Sequence, residues 1–88
     1  MTPEQQEAYD QALRRIEACR RKRGADLYLS NLGLTRLPPE IGQIAHLMGL
    51  FLDRNRLSTL PSEIGQLAHL TQLSIGSNRL STLPPEIG

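Results

Sequence analysis

Few side chains in this sequence have the chemistry for catalysis or metal binding, and their spacing argues against most of it. Cys19 is the single cysteine. It would act as a nucleophile only if a base and an orienting group converged on it. Alone it closes no internal disulfide and builds no Cys₂ or Cys₄ metal site. His46 and His69 lie 23 residues apart. Two histidines can begin a zinc site, but structural zinc takes four ligands and catalytic zinc at least three. Residue 23, one spacing before His46, is an arginine and no ligand. The run Arg20, Arg21, Lys22 and Arg23 could meet phosphates or serve as an import signal. It has no interleaved aromatic residues, and Glu17 and Asp26 flank it, so a solvated helix end is the better account of it. Lys22 is the one lysine and no Gly-x-x-x-x-Gly-Lys occurs, so no phosphate-binding loop is present. The expectation is a chain with no catalytic, cofactor-binding or metal-binding residues and no small-molecule substrate.

The elements that hold these residues fall into two parts. Charge separates them: residues 1–10 sum to −3, residues 11–23 to +5 and residues 24–88 to −1. The first part reads as a helix from about Pro3 to Lys22. Thr2 can cap it, Pro3 suits the first helical position, and Gln5 completes a capping-box spacing. Tyr9, Ala12, Leu13, Ile16 and Cys19 recur at steps of three and four, giving one apolar stripe. Acidic residues stand in the first turns and basic ones in the last, each complementing the helix dipole. Gly24 is placed to end the helix as a left-handed cap residue.

From Ala25 the period changes. LPPEIG at Leu37, LPSEIG at Leu60 and LPPEIG at Leu83 start 23 residues apart, and residues 37–59 match 60–82 at 15 of 23 positions. Such a period indicates a solenoid of stacked units. Within each unit, Leu50 and Leu52 alternate with Gly49, Phe51 and Asp53, the pattern of a short strand with one buried face. Pro38, Pro61 and Pro84 bar a regular helix just before them, so the return segments should be extended or 3₁₀. Asn55 and Asn78 fall where the strand turns away, where an amide can satisfy backbone groups of its own and the adjoining unit. Ile41, Ile64 and Ile87 should pack inward, with Gly42, Gly65 and Gly88 allowing a tight bend.

The motif Leu-Pro-x-Glu-Ile-Gly-x-Leu-x-x-Leu-x-x-Leu-x-Leu-x-x-Asn-x-Leu resembles the 23-residue class of leucine-rich repeats found in intracellular scaffolds. It covers residues 25–88, about 2.5 to 3 repeats, behind an N-terminal capping helix at 1–24. The fold expected is an α/β solenoid with a small parallel sheet. Residues 4–37, notably ALRRIEA at 12–18 and DLYLSNLGLTRLP at 26–38, are also similar to the opening of bacterial Roco-type proteins. That second resemblance implies a GTPase domain outside this chain. The first repeat departs from the pattern, with Leu32 in place of the ladder asparagine.

On such a solenoid the outward positions of successive strands form three columns on the concave face. They are Asp26–Gly49–Gln72, Tyr28–Phe51–Ser74 and Ser30–Asp53–Gly76. These nine residues are the candidate partner-binding surface, for a protein or peptide. Tyr28 and Phe51 are expected side by side and largely accessible, Leu13, Ile16 and Leu32 buried. Nucleic-acid contact through the basic helix end is the weaker reading, since the net charge is only +1. No secretory signal, membrane span or glycosylation acceptor is read, which points to a cytoplasmic chain. Leu80, Leu83 and Ile87 have no further repeat to pack on in these 88 residues, so the isolated chain is expected to self-associate through that end or to fray from about Leu70.

Overall fold

A computed structural model describes residues 2–80. Helix α1 (Pro3–Lys22) leads into three short parallel strands, β1 (Asp26–Tyr28), β2 (Gly49–Phe51) and β3 (Gln72–Ser74), in that spatial order. Two 3₁₀ turns, η1 (Pro39–Gln43) and η2 (Ser62–Gln66), carry the chain back between strands. No described helix is long and apolar enough to cross a membrane.

The capping box forms as expected: Thr2 Oγ1 accepts from the Gln5 backbone, and Gln5 Oε1 accepts from the Thr2 backbone. The far end of α1 differs from expectation. Arg23, not Gly24, takes the left-handed conformation, with φ 54°. Gly24 N–H then reaches back to Cys19 O at 3.1 Å, the long bond of a Schellman turn. A Cβ on Gly24 would stand 3.3 Å from Cys19 Sγ, so the glycine serves close packing rather than a special dihedral.

The buried stripe of α1 is Ala8, Ala12, Ile16 and Cys19, and Leu13 is only half-buried. Two alanines at four-residue spacing let the helix backbone come close to the first repeat, and that approach sets its rotation. Leu13, one position past Ala12, is turned about 100° away. Tyr9 is half-buried, its ring beneath the Arg36 guanidinium at 5.2 Å. Arg15 donates to Tyr28 O at 2.9 Å, which ties α1 to the outer edge of β1.

Each strand pairs in the register the repeat demands, Leu27 with Leu50 and Leu50 with Leu73. Leu27, Leu29, Leu50 and Leu52 point inward and meet Ile41, Ile44, Leu57 and Ile64 from the return side in one continuous core. Gly42 contributes through closeness rather than through a bend: a Cβ there would lie 3.0 Å from Glu63 O in the next turn. Leu47, Leu50, Leu52 and Leu57 are fully buried, while their counterparts one repeat later, Leu70, Leu73, Ile75 and Leu80, are half-buried. The expectation about Leu83 and Ile87 lies outside the described residues.

Asn55 joins the repeats. Its Oδ1 accepts from Leu32 N and Leu34 N, both at 3.0 Å. Its Nδ2 donates to Leu29 O and Leu52 O, both at 2.9 Å. Asn78 repeats the pattern one unit on, accepting from Leu57 N and donating to Leu52 O and Ile75 O. The first repeat does without an asparagine because the second repeat's asparagine satisfies its turn. Leu32 occupies the vacated position half-buried, not buried as expected, since no unit before it supplies backbone to bridge.

Candidate functional site

Strand parity puts Asp26, Tyr28, Gly49, Phe51, Gln72 and Ser74 on the sheet face opposite the core, in the columns expected from the sequence. The third column also assembles: Asn31 N–H donates to Asp53 O and Arg54 N–H to Gly76 O, continuing the ladder past the strands.

Tyr28 and Phe51 stack with ring centroids 4.7 Å apart and planes within 8°. Tyr28 is 59% exposed. Phe51 is half-buried, less open than the sequence suggested. The cause is Gly49, two residues back on the same face. With no side chain there, the Phe51 ring leans over the glycine, and a Cβ on Gly49 would lie 3.1 Å from the ring. Gly49 is itself buried, beneath that ring and the Asp26 carboxylate. Among the nine candidates it therefore shapes the surface from beneath rather than presenting a side chain to it.

Asp53 is likewise engaged. Its carboxylate accepts from Ser74 Oγ at 2.7 and 2.8 Å and from Gly76 N at 2.9 Å. Asp26 and Gln72 are exposed, as is Gly76, while Ser30 and Ser74 are half-buried. Truncating the two rings should therefore have unequal effects. Phe51→Ala is expected to cost about 1–2 kcal/mol, because the ring covers Gly49 and supports its neighbour. Tyr28→Ala should cost less than about 1 kcal/mol, as suits an exposed side chain. Urea unfolding of both variants checks the order.

The residues considered for chemistry do not assemble. Cys19 is buried, its Sγ 3.5 Å from Gly24 O, and burial pushes its thiol above the ordinary range, the opposite of an activated nucleophile. His69 is exposed and His46 half-buried, with Nε2 enclosed and without a partner among the described residues. No three metal-ligating side chains gather among the described residues. At the helix end Glu17 pairs with Arg20 and with Arg21, and the Arg20 hydrogen bond holds the Glu17 carboxyl below its usual range.

Two surface features were missed in the sequence. Asn31, Arg54 and Ser77, one repeat apart, all adopt left-handed backbone, φ 58°, 59° and 56°. Their shared spacing was the available signal. Met48 is 47% exposed. It lies just before β2, where alternation has not yet begun, so parity could not place it.

Comparison with known proteins agrees with this architecture. A family model described as leucine rich repeat matches residues 25–86. The chain is similar to a solved leucine-rich-repeat protein of Leptospira interrogans, with 50% identity and a TM-score of 0.68. That match covers 70% of this chain, which spans only 16% of the solved one. No curated protein matches the chain. Asparagine ladder, parallel three-stranded sheet, 23-residue period and family match together place the chain in the leucine-rich-repeat family.

Proposed function

We propose that this chain is a protein-interaction module whose open sheet face receives an extended protein or peptide segment. One observation carries the reading: a large aromatic ring, Tyr28, stands 59% exposed and stacked on Phe51, on the face opposite fully buried leucines. Exposed aromatic residues are enriched at binding hot spots, and repeat solenoids use such faces for partners. The two full repeats support it. Inward Leu50 and Leu52 become Leu73 and Ile75, whereas outward Phe51 and Asp53 become Ser74 and Gly76. The proposed compartment is the cytoplasm, where a lone buried thiol is in keeping with reducing conditions.

Selection from a random peptide library on the immobilised chain tests this. Binders should be enriched, and Tyr28→Ser should weaken them. No enrichment, or binders indifferent to every change on the sheet face, contradicts the proposal. A second reading keeps the surface and places it at the head of a Roco-type signalling protein, as the resemblance of residues 4–37 favours. A phosphate-binding loop encoded beyond residue 88 decides for it.

A further inference from the structure

Phe51 has two ring faces. Tyr28 covers one, parallel and 4.7 Å away across the β1–β2 pair. A ring parallel to its neighbour on β1 turns its second face toward β3, where its register partner is Ser74. Neighbouring strands lie about 4.8 Å apart, so one more flat group above Ser74 would continue the stack. Serine brings no ring to that place, and the strand spacing makes it a slot one planar group thick.

Asp53 stands at one end of the slot. Its carboxylate leans toward β3, held by Ser74 Oγ and Gly76 N. These contacts fix its position and leave acceptor sites free, since a carboxylate offers about four. Gln72, exposed, marks the other end. Charge points the same way. Among the nine sheet-face positions the charged residues are Asp26 and Asp53, both acidic, although the whole chain carries +1. The Asp53–Ser74–Gly76 contacts account for where the carboxylate lies. They put no flat group against the second face of the half-buried Phe51 ring.

We propose that this slot takes an arginine side chain of the partner, stacked on Phe51 and hydrogen-bonded to Asp53. The inference rests on the reading of the sheet face given above. Arginine is the side chain that combines a planar cation with a donor fork matched to a carboxylate. A lysine ammonium would pair with Asp53 but has no plane to stack. A third aromatic ring would stack but would shield Asp53 without a counter-charge, which is costly.

The test uses peptides selected from a random library on the full 88-residue chain. Arginine should be enriched over lysine among them. Changing that arginine to lysine or citrulline in the peptide should weaken binding at least about tenfold, and Asp53→Asn in the protein should do the same. Ser74→Phe, which fills the slot with a ring of the protein's own, should match that loss while keeping a normal melting transition. The peptide substitutions need no protein variant, so the outcome stands even if Ser74→Phe disturbs folding. Selected peptides without arginine, or with binding indifferent to these changes, overturn the inference and leave the binding surface standing. Selection of no peptide at all overturns both.

Discussion

Replacing Asn55 by alanine is expected to cost about 3–5 kcal/mol, and the same change at Asn78 about 1–2 kcal/mol. Both residues make the ladder pattern, but Asn55 accepts from two backbone groups where Asn78 accepts from one, and Asn55 is the more buried. Asn55 is buried, and its loss strips a partner from Leu32 N, Leu34 N and Leu29 O. Each buried group left unsatisfied costs about 1–3 kcal/mol. Leu52 O is spared, because Asn78 Nδ2 also reaches it, at 2.8 Å. Asn78 is half-buried, so water can replace much of what it supplies. For a domain whose whole stability is of the order of 5–15 kcal/mol, the Asn55 change approaches the unfolding threshold. Urea denaturation measures both. Equal losses would mean that the amide's burial does not matter and that the ladder is not what joins the first two repeats.

Ile16→Ala should cost about 2–4 kcal/mol, and Leu13→Ala less than about 1 kcal/mol. The two positions are three apart on one helix, and either could face the core by periodicity. In the structure Ile16 is 2% exposed within the common core, while Leu13 is half-buried beside Arg14 and Glu17 on the outer side. Ile16 is therefore part of what seals the first repeat, where an open strand edge and bare leucines would otherwise meet water. Chemical denaturation of the two variants decides the rotation of α1. A Leu13 loss equal to or above the Ile16 loss would show the helix turned so that Tyr9 and Leu13 face inward.

The repeat itself was legible because a strict 23-residue period and a strict alternation act together. Once Leu50 and Leu52 are inward, Phe51 must be outward, and stacking in register follows. The ladder asparagines were legible for a similar reason: an amide at a strand's turn has few other uses. What remained hidden depended on distance rather than period. The rotation of α1 follows from Ala8 and Ala12 admitting a close approach, and a list of apolar steps ranks Leu13 above alanine. The left-handed cap falls at Arg23, one residue before the glycine, whose place is set by its close packing on Cys19 Sγ. Parity assigned Phe51 and Gly49 to one face, yet their exposure depends on which way the ring leans. It leans into the gap the glycine leaves, so one residue is half-buried and the other wholly so.

The most direct measurement of the central claim is quantitative capture of proteins from a cell extract on three immobilised chains. They are the unchanged chain, one with Tyr28→Ser and Phe51→Ser together, and one with Glu40→Lys on the exposed return side at η1. Each chain is first checked for a cooperative melting transition. The account predicts a set of proteins held by the unchanged chain and by Glu40→Lys, and lost from the folded double variant. The same set held by all three chains, or lost only from Glu40→Lys, would contradict the claim that the sheet face is the binding surface.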